Sequence, residues 1–175
     1  VFWLFHHIIL IYLLTILLYF LRVLELGAGL GLPSIIANKC GAKYVMSTDQ
    51  QLAVDLLKEN IGYNIPNAMN IAVSVLDWKN FKLDTTYDVI NSFYNFIVVL
   101  GADLVYKQEL FEPLKILLDK CTNSSSVIIF ASRIRYKKDE LFYNNLNRTD
   151  FNVKKILYDE KADIHLYRIM KKIKN

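Results

Sequence analysis

Apolar and polar positions follow two different periods along this chain, and the two alternate. Short apolar runs at Arg22–Leu26, Tyr44–Thr48, Ala72–Leu76 and Ser126–Ala131 are bounded by Gly, Asp or Ser and read as strands. Between them, Leu32–Lys39, a segment opening near Gln50 and closing near Gly62, Leu110–Lys120 and Lys138–Leu146 read as helices. Gly41 is a helix stop, and Pro66 with its neighbouring asparagines marks a loop. Tyr87–Ile90 and Phe96–Leu100 are both strand candidates, and Phe151–Tyr158 with Ile164–Met170 reads as a closing antiparallel pair. Strands that alternate with helices predict an α/β fold, with a mostly parallel sheet carrying helices on both faces and an antiparallel last strand. No repeat or linker divides residues 22–175, which read as a single domain.

Residues 1–21 break the pattern. They contain no Lys, Arg, Asp or Glu, and their length is close to the roughly 20 residues that a membrane-spanning helix needs. They lack the basic start and small-residue cleavage site of a secretory signal. Three readings stay open: a buried helix packed on the sheet, a stretch that is not native coding sequence, and a membrane anchor. A membrane helix ending at Leu21 leaves no linker to Arg22–Leu26, the expected first and most central strand. The abundance of Ile, Asn, Lys, Tyr and Phe, as in AT-rich DNA, motivates the second reading.

Composition narrows the function classes. The 175 residues suffice for one core, and the net charge of +4 comes largely from Lys171, Lys172 and Lys174 near the end. That is a solvated basic tail; with no basic stripe interleaved with aromatics, no nucleic-acid partner is expected. Cys40 and Cys121 lack metal-ligand spacing, and the three histidines form no constellation, so no metal is expected and a reducing, cytoplasmic setting is. The Asn123 and Asn147 glycosylation triplets are of a kind that arises often by chance.

The strongest chemical signal is RVLELGAGLGLP at 22–33: a strand ending near Glu25, glycines at 27, 29 and 31, then Pro33 and a helix start. Strand, glycine turn and helix make a nucleotide-cofactor loop. The third glycine falls one place too early for the dinucleotide fingerprint, which favours a small non-phosphate cofactor such as S-adenosylmethionine. Three further strand ends carry chemistry. Asp49, roughly 20 residues on, is placed to accept bonds from ribose hydroxyls. Asp77 and Trp78 pair a carboxylate with an indole able to bracket adenine, and Asp103 and Tyr106 follow the fourth strand. In an open α/β sheet these ends form one edge, where ligands bind.

With these motifs in place (LELGAGLGLP at 24–33, TD at 48–49, LDW at 76–78, GADLVY at 101–106, and the segment from FEPL at 111–114 through DIHLYRI at 163–169), the chain resembles the seven-β-strand class I methyltransferases. Within them it is similar to the protein-lysine methyltransferases that modify chaperones and AAA ATPases, valosin-containing protein among them. The resemblance covers about 22–90 and 101–172, and the D-x-x-Y element, Asp103 to Tyr106, is its most particular feature. It implies a Rossmann-like seven-stranded fold, S-adenosyl-L-methionine as cofactor, methyl transfer to the lysine ε-amine of a protein such as a chaperone or AAA ATPase, and a monomer with no membrane partner. By motif, Gly27 and Gly29 would let the backbone approach the methionine part of the cofactor. Glu25 would orient that loop or the cofactor's amino group, Asp49 would hold the ribose, and Asp77 and Trp78 would frame the adenine. Ala102 and Tyr106 would line the floor near the methyl group, with Asp103 facing the amine.

Two departures from the family stand out. The apolar run replaces its Trp-containing segment before the first strand, and Trp3 is a poor positional match. NSFYNFIVVL at 91–100 intervenes where the family runs almost directly from a strand like YDVI into GAD. Either Phe96–Leu100 replaces Tyr87–Ile90 as the central strand, or the segment is a retained intron. These departures motivate an alternative, an inactive cofactor-binding module. A dinucleotide-dependent oxidoreductase fits less well, given the glycine spacing and the Asp-Trp pair.

Overall fold

The structure, a computed structural model, describes residues 21–67, 69–80 and 98–173. The first readings for residues 1–20, the Tyr87–Ile90 candidate and residues 91–97 therefore lie outside the described residues.

Seven strands form one sheet in the order β3-β2-β1-β4-β5-β7-β6. They are β1 (Arg22–Leu26), β2 (Tyr44–Asp49), β3 (Ile71–Val75), β4 (Val98–Ala102), β5 (Val127–Ser132), β6 (Phe151–Asp159) and β7 (Ile164–Lys171). The first five run parallel, and β7 is antiparallel to both β5 and β6. The helices are α1 (Leu32–Lys39), α2 (Gln51–Asn64), α3 (Phe111–Cys121), entered through a 3₁₀ turn at Gln108–Leu110, and α4 (Lys137–Arg148). This is the expected α/β architecture. β4 lies at the middle of the sheet, with β1 beside it rather than at the centre.

Alternation along the strands assigns the two faces. Leu24 and Leu26 of β1 pack with Val99, Ile128 and Phe130 under α3 (Leu114, Leu117, Leu118, Cys121) and α4 (Phe142, Tyr143, Leu146). Those α3 positions recur at helical spacing, so one stripe faces the sheet. Val23 points the other way, with Val45, Leu100 and Ile129, toward Ala37 of α1. On that same face Ile35 of α1 meets Leu57 and Ile61 of α2. No helix among the described residues is long and apolar enough to cross a membrane.

The local causes are readable. Gly31 enters α1 at a φ of 73°, and Pro33 in the first turn lacks only an N–H that would find no intrahelical partner. Ile65, at a φ of −139° and a ψ of 69°, leaves the helical region before Pro66 and ends α2. β3 stops one residue earlier than its apolar run because pairing with β2 ends at Asp49 opposite Val75; the Leu76 amide donates to the Asp49 carbonyl instead. β4 includes Val98–Leu100 of the intervening segment and runs two residues beyond the expected end. Gly101 and Ala102 pair with Phe130 and Ala131 of β5, so Asp103 is the first residue past the strand.

Candidate active site

The parallel strands bring the carboxyl ends of β1 to β5 to one edge of the sheet. A cavity of about 640 Å³ opens there, lined by Gly27, Asp49, Trp78, Ala102, Asp103 and Tyr106. Its size is that of a small-molecule site. An adjoining cavity of about 450 Å³ takes in Asp77 and shares Gln50, Lys107 and Leu110 with the first. Glu25 and Gly29 line neither cavity.

Glu25 and Gly29 are both engaged within the protein instead. Glu25 has the strand parity of Val23, so its carboxylate lies on the α1 side of the sheet and is 1% exposed. Its Oε2 accepts the amide of Ser34 at 3.0 Å, the Ser34 hydroxyl, and the Ser47 hydroxyl at 3.3 Å. Burial pushes its pKa up to about 8, against the opposing effect of these donors. These bonds tie the end of β1 to the first turn of α1 and to β2. The Gly29 amide donates to Oδ2 of Asp49 at 2.7 Å, and Oδ1 accepts the Gln50 amide at 2.7 Å. The Asp49 carboxylate is thereby held at the cavity wall by two backbone donors.

A Cβ on Gly27, whose φ is 57°, would stand 2.7 Å from Leu104 and 3.3 Å from the Trp78 indole. The turn thus lies against the ring with no room for a side chain. Asp77 bends back on its own loop, accepting the Lys79 amide at 2.9 Å and the Asn80 side-chain amide at 2.7 Å; the Asn80 bond is the main cause that lowers its pKa.

Asp103 has a φ of 58°, and its amide donates to the Ala131 carbonyl at 2.8 Å. Both of its carboxylate oxygens accept from the Arg135 guanidinium, each at 2.8 Å. Tyr106 is 46% exposed, with the Lys107 ammonium 5.7 Å from the centre of its ring. Lys138 donates to the Tyr106 carbonyl at 3.1 Å. Arg135 and Tyr136 line the cavity but belong to no motif singled out in the sequence. The signal that could have found them is position: both lie just past the end of β5, on the edge that carries the other site residues.

These residues fit S-adenosylmethionine. The glycine turn offers close backbone, Asp49 offers a carboxylate to hydroxyls, and Trp78 offers a flat apolar face. The fold is that of the magnesium protoporphyrin IX methyltransferase of Synechocystis PCC 6803, crystallised with bound SAM. The TM-score is 0.72 at 13% identity, covering 95% of this chain and 78% of that one. The chain is 40% identical over 159 residues to the protein N-lysine methyltransferase METTL21A of Danio rerio, covering 88% of this chain and 68% of that protein. It is 36% identical over 149 residues to the METTL21A of Xenopus tropicalis, covering 83% and 64%. It therefore spans about two thirds of the length of the curated relatives it matches. The lysine methyltransferase family model matches residues 3–149, and the chain belongs to that family.

Proposed function

We propose that this protein transfers the methyl group of S-adenosylmethionine to the ε-amine of lysine in a protein substrate. The observation that carries this reading is the placement of Asp103 and Tyr106, at the carboxyl end of β4, on the cavity that Gly27, Asp49 and Trp78 also line. The relatives' name, protein N-lysine methyltransferase, supports the acceptor class.

When bound, the cofactor supplies a methyl group on a sulfonium. The protein's residues then have three tasks. Gly27 and Asp49 would fix the cofactor's position, and Trp78, with Asp77 in the adjoining cavity, would bound its adenine end. Ala102 would form the floor near the transferred group. Asp103 and Tyr106 receive the amine: a free lysine has a pKa near ~10.4, so the nucleophile must be bound or made neutral. A dry channel favours the neutral form. Asp103 accepts an N–H and aims the nitrogen lone pair, while the Tyr106 ring face stabilises positive charge. The lysine nitrogen would take the methyl group from the sulfonium as its bond to sulfur breaks, and the methylated ammonium would shed its proton to solvent. Most of the rate gain comes from alignment.

The substrate class is a chaperone or AAA ATPase. The setting is reducing and cytoplasmic, a reading supported by the free thiols Cys40 and Cys121. A thermal-shift comparison tests the cofactor half: S-adenosylhomocysteine raises the melting temperature and NAD does not. Stabilisation by NAD alone would point to the oxidoreductase reading.

A further inference from the structure

Arg135 has no role assigned so far, yet it makes the tightest side-chain contact at the acceptor end of the cavity. Its guanidinium grips both oxygens of Asp103, and that hydrogen bond is the main cause that raises its own pKa. The grip is built from behind. The Arg135 and Tyr136 amides donate to Oδ2 of Asp139, at 3.0 and 3.1 Å, and Asp139 is fully buried in the first turn of α4. A buried acid thus fixes the backbone from which the guanidinium reaches across to the β4 loop.

A carboxylate that faces an incoming lysine alone has the wrong electrostatics for methyl transfer. An anion beside an amine favours the ammonium form, which has no lone pair to give. We infer that Arg135 is a positioning residue that offsets the charge of Asp103, leaving a carboxylate that can accept an amine N–H without trapping the ammonium. This inference rests on the lysine-transfer reading above.

The other charged groups at this end do not supply that charge in the same place. Lys107 sits over the Tyr106 ring, and Lys138 donates to the Tyr106 carbonyl. Asp139 is turned to the Arg135 backbone, and Asp49 is held by backbone donors across the cavity. Tyr136 is exposed beside Arg135. Tyr143, packed behind on α4, is bonded to Ser132, and burial raises its pKa against the opposing effect of that bond, so it stays neutral.

The test is the pH dependence of kcat, which reports ionisations in the enzyme–substrate complex. The acceptor is whichever protein the wild-type chain methylates from a panel of purified chaperones and AAA ATPases that includes valosin-containing protein. Arg135→Gln moves the rising limb up by about one to two pH units, so kcat on that limb falls by up to about 10- to 100-fold and recovers at alkaline pH. Arg135→Lys, which keeps the charge, leaves the limb near its wild-type position. Asp103→Asn moves it the opposite way, to lower pH, and does so even if Arg135→Gln fails to fold. A loss of kcat by one factor at every pH, or a limb unmoved in Arg135→Gln and Asp103→Asn, overturns the inference while leaving the lysine-transfer reading intact. If the wild-type chain methylates no lysine in the panel, both fall.

Discussion

The backbone amide of Gly29 donates to the Asp49 carboxylate at 2.7 Å, tying the glycine turn after β1 to the acid that ends β2. One carboxylate therefore serves two ends: it braces the turn and presents its remaining lone pairs to the cavity. Asp49→Ala removes both, and S-adenosylhomocysteine binding should weaken by roughly 30- to 100-fold, about 2–3 kcal/mol for charged hydrogen bonds lost. Asp49→Asn keeps an acceptor for the Gly29 amide and should fall between the two. Calorimetric titration with S-adenosylhomocysteine measures this.

Two glycines of the turn should fail in different ways. At Gly31, with φ at 73°, a Cβ would stand 2.5 Å from Leu57 and 3.3 Å from Ile61, inside the contact between α1 and α2. Gly31→Ala should therefore cost stability, on the order of 2–3 kcal/mol from left-handed strain plus overpacking. At Gly27 the collision is with Leu104 and Trp78, which line the cavity. Gly27→Ala should displace the indole and lower S-adenosylhomocysteine affinity by about tenfold or more, a loss of ~1.4 kcal/mol. Denaturant melts and cofactor titrations on the two variants separate these outcomes.

Glu25 should make stability depend on pH. Its pKa is raised to about 8 by burial, so the folded chain keeps a proton that the unfolded chain has lost. Stability from this group is full below the ordinary carboxylate range and is lost as pH rises toward about 8, beyond which it is flat. Glu25→Gln keeps an oxygen for the Ser34 and Ser47 donors and removes the titration. The wild-type midpoint of denaturation should fall between about pH 5 and pH 8, and the variant should lose most of that slope.

Glu25 also shows where sequence reasoning stops. Its presence beside the glycines was legible, but the side of the sheet on which it lies follows from strand parity together with the location of α1. The bounds of α1 were legible because Gly31, Pro33 and Gly41 punctuate a short apolar run. The end of β4 was not, since Gly101 and Ala102 carry no strand propensity and are held in the sheet by pairing with β5. Arg135 escaped for a related reason. It is 32 residues from Asp103, and only the parallel pairing of β4 with β5 brings the two together.

The most direct test of methyl transfer to protein lysine is tritium transfer from labelled S-adenosylmethionine, with mass spectrometry locating the methyl group, for the wild-type chain and Asp103→Ala. The wild type should methylate a lysine ε-amine in a chaperone or AAA ATPase. Asp103→Ala should lower kcat by about 10²-fold or more, with S-adenosylhomocysteine affinity within about twofold of wild type. Wild-type rates in Asp103→Ala would contradict the account.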